Sequence, residues 1–142
     1  MFTLDAYEVT ITAIQGFGCL QKPTEFTALL KMVSEGGPER ILEIGAGNGG
    51  SSWAWSKIKS LKQLITVDLP NGPWGGSNIE SMVSFIKAKS VCPYEYIAGN
   101  SHDETTFQKV KAELGDHKFD FLFIDGDHSY DGVKKDYEMY SE

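Results

Sequence analysis

The fold of this chain is restricted above all by a cluster of glycines that follows a short apolar run. The run Arg40–Ile44 leads into the sequence GAGNGGSS, and residues 51–60 beyond it carry helix-forming side chains. Glycines have no Cβ, so backbone N–H groups in such a loop can approach a ligand closely. A strand, a tight loop and a helix in this order predict a site for a nucleotide-like ligand.

The rest of the chain alternates strand-like and helical patterns. Apolar residues at helical spacing predict a helix over residues 24–35, ended by glycines, and a capping box at Ser77-x-x-Glu80 starts another. Further strands are predicted at 63–69, 94–98 and 119–124, and further helices at 103–114 and from 130 onward. Strands that read as apolar runs between helices predict an α/β fold with a doubly wound, Rossmann-like parallel sheet.

The last helix has four apolar residues in register, Tyr130, Val133, Tyr137 and Tyr140. Charged residues such as Lys134, Lys135 and Asp136 are most simply part of its solvated face. The stretch 71–76 is rich in Gly and Pro and predicts a loop without regular structure.

Composition narrows the class of protein and its partners. With 142 residues and 41% hydrophobic side chains, the chain can bury one core, and it has no run of eighteen apolar residues. Its start lacks a secretory signal, so we expect a cytoplasmic protein without a membrane partner. The net charge of −7 argues against nucleic acid and favours a small-molecule substrate. Cys19 and Cys92 lack metal-site spacing and are expected to be ordinary thiols.

The glycine loop alone leaves the ligand open. Gly45-x-Gly47-x-x-Gly50 also satisfies the dinucleotide-binding pattern, and Asp68 at the end of the second strand would bind a ribose diol in either case. A tight turn without a ligand is the third alternative.

Glu43, two residues before the first glycine, completes the pattern ExGxGxG. In this respect the chain resembles class I S-adenosylmethionine (SAM)-dependent methyltransferases, and the resemblance covers roughly residues 24–140. It implies that Glu43 lies near the methionine amino end of SAM and that Asp68 binds the ribose. The remaining cofactor contacts implied around this loop are Gly45, Ala46, Gly47, Gly49, Ser51 and Leu69.

Residues 99–103, GNSHD, resemble the GxSxD stretch after the third strand in the catechol O-methyltransferase-like branch. The resemblance implies that Ser101 and His102 contact adenine. Alternatively, Ser101 and Asp103 simply cap the next helix, and the two roles are compatible.

Residues 119–130, FDFLFIDGDHSY, are similar to the IDGDHSY motif of a family that includes sugar O-methyltransferases and cephalosporin hydroxylase-like proteins. An Asp at the end of a parallel strand faces the ligand crevice, so Asp125 is a candidate catalytic and cofactor-binding residue. The resemblance implies that Asp125 could also hold Mg²⁺ beside two substrate hydroxyls. His128 is a candidate general base. Alternatively, Asp127 and His128 cap the last helix or contact adenine through their backbone.

The family has seven strands, whereas this sequence ends after the helix that follows the fourth. A metal site at Asp125 would therefore be incomplete, and the strand at 119–124 would lie at a sheet edge, where we expect self-association. Truncation and a natural short protein that borrows strands from a partner are both open, and we favour truncation.

We therefore expect an N-terminal segment, residues 1–22, and an incomplete SAM-binding domain, residues 23–142. The segment, with Phe2, Tyr7 and Phe17, could form a lid over the substrate together with Trp74, although packing against the core is an alternative. The expected activity is methylation of an oxygen on a small molecule such as a sugar or polyol. A SAM-binding module without chemistry and an NAD-dependent oxidoreductase are the alternatives.

Overall fold

A computed structural model describes residues 5–71 and 79–142 and confirms the predicted doubly wound α/β fold. Its elements, in chain order, are α1 (Ala6–Phe17), α2 (Pro23–Gly36), β1 (Arg40–Ile44), α3 (Gly50–Trp55), β2 (Gln63–Asp68), α4 (Ile79–Lys89), β3 (Tyr94–Ala98), α5 (Glu104–Leu114), β4 (Phe121–Ile124) and α6 (Tyr130–Tyr140). The four strands are parallel, in the order β3-β2-β1-β4. Neither described stretch contains a helix long and apolar enough to cross a membrane.

Alternation along the strands produces two cores, one on each face of the sheet. Ile41 of β1 and Leu64 of β2 face the layer of α1 to α4, where Trp55 is completely buried. Leu42 and Ile65 face the opposite layer, which α5 and α6 cover. The sheet is thus buried on both faces, and its strands end together at one edge.

Two predicted elements have different bounds in the structure. The helix expected over residues 51–60 ends at Trp55, because Lys57 and Ile58 donate their N–H groups to carbonyls only three residues back, which tightens the chain into turns. The fourth strand begins at Phe121 rather than 119, because the Asp120 carboxylate accepts the Glu39 and Arg40 N–H groups and forms a corner there. Ser77 of the predicted capping box lies outside the described residues.

The N-terminal segment contains a helix that the sequence analysis did not predict. Asp5 caps α1 by accepting the Glu8 N–H at 3.0 Å, and Gly18 ends it with a φ of 64°. The Phe17 ring stacks on Trp53 at a centroid distance of 5.2 Å, so the end of α1 is joined to the core. The lid stays a prediction, since Phe2 and Trp74 lie outside the described residues.

The interpretation of α6 was wrong about which side faces the sheet. Tyr130, Val133 and Tyr137 are exposed, whereas Asp136, assigned above to a solvated face, is completely buried. Of the four apolar residues in register, only Tyr140 is buried. The helix packs on the domain with its polar side because Asp136 contacts Ser101 and His102 there.

Candidate functional site

A cavity of about 850 Å³ lies at the carboxyl ends of the strands. Its walls are the loops that follow β1, β2, β3 and β4, together with residues 18–22 between α1 and α2. This volume is within the usual range for small-molecule sites. Ten of the twelve predicted site residues line it: Gly45, Ala46, Gly47, Ser51, Asp68, Leu69, Ser101, His102, Asp125 and His128.

Gly45 is required by the junction of two strands. Its φ is 90°, and a Cβ there would overlap the Asp125 carbonyl group and lie 2.7 Å from the Gly126 nitrogen. The Asp125 N–H donates to the Ile44 carbonyl at 2.7 Å, which holds the ends of β1 and β4 together. A side chain at position 45 would separate these ends and displace Asp125 from the cavity.

The two later glycines contact helices rather than the cavity. Gly49 does not line the cavity, and a Cβ added there would lie at ordinary contact distance from Met82 and Ile86 on α4. A Cβ at Gly50 would lie 2.6 Å from the Cys19 Cβ, so this glycine lets the end of α1 approach α3. Packing therefore explains part of the pattern that predicted a nucleotide loop.

Glu43 lies beneath the glycine loop and does not line the cavity. Alternation along β1 directs its side chain into the α3 layer, where it is completely buried. Its carboxylate accepts hydrogen bonds from Ser52 Oγ, from Trp55 Nε1 at 3.2 Å and from Thr66 Oγ1 at 3.1 Å. Burial raises the pKa of Glu43 from 4.5 to about 7, although these hydrogen bonds and one from Ser51 oppose the rise.

Asp68 connects the end of β2 to the glycine loop. Its carboxylate accepts the Leu69 N–H at 3.0 Å and the backbone N–H groups of Ala46 and Gly47. Burial raises the pKa of Asp68, and these three hydrogen bonds oppose the rise. An acceptor carboxylate is thereby held at the cavity wall.

Ser101 and His102 are held by a residue that the sequence analysis did not select. The Ser101 hydroxyl donates to Asp136 Oδ1 at 2.6 Å, and His102 Nε2 lies 3.2 Å from the same oxygen. Asp103 is the N-cap residue of α5, but its side chain makes no capping hydrogen bond. The structure therefore does not show the alternative, in which the side chains of Ser101 and Asp103 cap this helix.

Asp125 lies between two side chains at the end of β4. His128 Nε2 lies 3.1 Å from Asp125 Oδ1, and Gln21 Nε2 donates to Asp125 Oδ2 at 2.5 Å. The His128 side chain is 75% exposed and faces the cavity. No motif in the sequence indicated Gln21, because its contact depends on how α1 packs on the domain.

Capping of α6 involves the neighbours of His128. The Ser129 hydroxyl accepts the Gly132 N–H at 3.1 Å, and the Asp127 carboxylate accepts the Ser129 N–H at 2.8 Å. Hydrogen bonds from the backbone N–H and the side chain of Ser129 lower the pKa of Asp127. Ser129 is therefore the cap residue of α6, Asp127 only accepts the N–H of this cap, and the His128 ring contacts Asp125.

The sequence matches a family model described as "Methyltransferase domain" over residues 42–142. The chain belongs to this methyltransferase-domain family. A comparison with curated proteins found no match.

Solved structures of methyltransferases share the fold of this methyltransferase domain. SAH-bound PaMTH1 from Podospora anserina has a TM-score of 0.60 and 19% identity, over 96% of this chain and 55% of its own. An O-methyltransferase from Bacillus cereus in complex with S-adenosylhomocysteine (SAH) has a TM-score of 0.60 and 20% identity, over 95% and 60%. TomG from Streptomyces achromogenes, in complex with SAM, has a TM-score of 0.50 and 18% identity. The match covers 86% of this chain and 53% of TomG. The chain therefore spans little more than half the length of these proteins.

The donor set around Asp125 does not fit the Mg²⁺ ion expected from the sequence. Mg²⁺ requires near-octahedral oxygen ligands, whereas the two Asp125 oxygens face nitrogen atoms of Gln21 and His128. The nearby Asp127 carboxylate is engaged at the start of α6. Within residues 5–71 and 79–142, no group of three or more His, Cys, Asp or Glu side chains could hold a metal ion.

Proposed function

We propose that this methyltransferase domain binds SAM in the cavity and transfers its methyl group to an oxygen of a small molecule such as a sugar or polyol. The observation that carries the proposal is the Asp125–His128 pair, which faces the same cavity as Asp68 and the glycine loop. Solved relatives of the same fold contain SAM or SAH. The cytoplasmic location remains a part of this proposal that rests on sequence alone.

The cofactor would span the cavity from β4 to β3. Asp68 would accept the ribose hydroxyls, and the loop from Gly45 to Gly47 would lie against the sugar and the methionine part. Ser101 and His102 would contact adenine at the far wall. Glu43 would act beneath the loop, through its hydrogen bond with Ser51, which does line the cavity.

His128 would act as the general base. An Nε2–H that donates to Asp125 Oδ1 leaves Nδ1 as the proton acceptor, and Asp125 stabilises the imidazolium that forms. The acceptor oxygen would attack the methyl carbon as the carbon–sulfur bond breaks, leaving neutral SAH, and the hydroxyl proton would move to Nδ1. Gln21 would hold the second Asp125 oxygen and so fix the carboxylate. Most of the rate enhancement would come from alignment of oxygen, carbon and sulfur.

Transfer of a labelled methyl group from SAM to a panel of sugars and polyols tests this chemistry. His128→Ala is expected to lower turnover by about 10²- to 10⁴-fold with saturating SAM while SAH affinity is kept, because only proton removal is lost. His117→Ala, which replaces an exposed histidine in the α5–β4 connection, is the matched control and should retain turnover. Full turnover by His128→Ala would remove the base assignment.

A second candidate function is a SAM-binding module that acts with a partner, and an exposed edge favours it. Among the described residues, β4 pairs with β1 alone, and Tyr130 and Tyr137 on the neighbouring helix are 80% and 61% exposed.

We propose that copies of the chain associate through the β4 edge. Sedimentation velocity should show association as concentration rises, and a monomer at every concentration would contradict it. SAH binding without transfer to any acceptor would favour this second function.

A further inference from the structure

A buried carboxylate lies behind the proposed adenine wall of the cavity. Asp136 on α6 is completely buried. Its Oδ1 accepts a hydrogen bond from the Ser101 hydroxyl and is also contacted by His102 Nε2. Its Oδ2 has no hydrogen-bond partner among the described residues. Through this one oxygen, Asp136 joins α6 to the loop that follows β3. Asp136 itself does not line the cavity.

These contacts fix where the hydrogens of Ser101 and His102 point. A carboxylate oxygen accepts, so the Ser101 hydroxyl must donate to Asp136, and it offers the cavity only lone pairs. His102 Nε2 lies 3.2 Å from both Asp136 Oδ1 and the Gly132 carbonyl oxygen. Both of these atoms accept, so Nε2 carries the hydrogen, and Nδ1 of the neutral ring is an acceptor.

Two backbone groups of this loop also make hydrogen bonds within the protein. The Tyr140 hydroxyl donates to the Ser101 carbonyl at 2.7 Å, and the His102 N–H donates to Asn100 Oδ1 at 3.0 Å. The polar side-chain atoms that remain for a ligand at Ser101 and His102 are acceptors. These two acceptors match a hydrogen-bond donor on the ligand.

We propose that Asp136 is a specificity-determining residue that makes this wall select a 6-aminopurine over a 6-oxopurine. By holding the Ser101 and His102 hydrogens away from the cavity, it leaves acceptors for the adenine amino group. A 6-oxo group in the same place would bring two acceptors together. This inference rests on the proposed SAM site, and it assigns Asp136 a positioning role without ligand contact.

Calorimetric titration of the 142-residue chain with SAH and with S-inosylhomocysteine tests the inference. The wild type should prefer SAH by about tenfold, the effect of one well-made hydrogen bond. Asp136→Leu should remove most of this preference, and Asp136→Asn, which can keep an acceptor toward Ser101, should retain part of it. Asp131→Asn, on the exposed side of the same helix, is the matched control and should keep the full preference.

The ratio of the two affinities separates specificity from stability, because a partly unfolded variant loses affinity for both ligands equally. Ser101→Ala provides a second test if Asp136→Leu does not fold, and it too should lose the preference. A full preference for SAH in either Asp136→Leu or Ser101→Ala would overturn the inference, as would a wild type that binds both ligands equally. A wild type that binds neither ligand would instead overturn the proposed function, and the role of Asp136 with it.

Discussion

Replacing Glu43 by Gln is expected to stabilise the fold near neutral pH. The Glu43 carboxylate is completely buried in the layer between the sheet and α3, and its pKa is raised from 4.5 to about 7. Glutamine has nearly the same shape and no charge. Its carbonyl can accept from Trp55, and its amide can donate to the Ser52 and Thr66 hydroxyls once these rotate.

The pKa difference sets the size of the effect. Well below pH 4.5 the carboxyl is protonated in both states, and Glu43 adds no dependence on pH. Between 4.5 and about 7 the unfolded chain has released a proton that the folded chain still holds, so the free energy of unfolding falls as pH rises. The fall from this one group is about 3 kcal/mol in total and is complete above pH 7. Glu43→Gln removes it.

Urea denaturation of both proteins between pH 5 and pH 8 measures the effect. The advantage of Glu43→Gln over the wild type should grow by about 2 kcal/mol or more across this range. Glu35→Gln replaces an exposed carboxylate on α2 and should show a difference that stays within about 0.5 kcal/mol. If the free energies of unfolding of Glu43→Gln and wild type differed by a constant amount from pH 5 to pH 8, the reasoning would be refuted. Glu43 would then be ionised in the folded protein over this whole range.

Three further predictions concern the cavity. Gly45→Ala should lower the free energy of unfolding by about 3 kcal/mol or more in urea denaturation, because the added Cβ would overlap the Asp125 backbone and because φ at this position is 90°. Gly36→Ala is the control: a Cβ there has no atom within 4 Å, so it should not destabilise the fold. Asp68→Asn should weaken SAH binding about tenfold or more in calorimetry, because the charged acceptor for the ribose is lost, and unchanged affinity would exclude that role. Excess Mg²⁺ should leave SAH affinity and methyl transfer unchanged. Stimulation that a chelator reverses would contradict the conclusion that the donor set around Asp125 does not fit Mg²⁺.

Local patterns predicted the sheet well because its strands are strongly apolar and clearly bounded. The bounds of β1 and β3 agree with the sequence prediction, and the predicted acids at the ends of β2 and β4 do line one cavity. Parallel strands bring their carboxyl ends to one edge, so Asp68 and Asp125 could be placed together without knowledge of the packing.

Features that depend on tertiary packing could not be predicted in this way. Glu43 was assigned to the cofactor by its place in a motif, but alternation along β1 turns its side chain away from the cavity. Asp136 lies in a charged run, and only the docking of α6 on the Ser101 loop shows that it is buried. Gln21 reaches Asp125 because α1 packs on α3 through Gly50, a contact between distant parts of the sequence.

The central claim is that the cavity is built for SAM. Calorimetric titration of the purified chain with SAH, with NAD as the comparison ligand, tests it most directly. We expect SAH to bind in the micromolar range and NAD to show no measurable binding. Tighter binding of NAD than of SAH would contradict the account and would make the glycine loop and Asp68 a dinucleotide site.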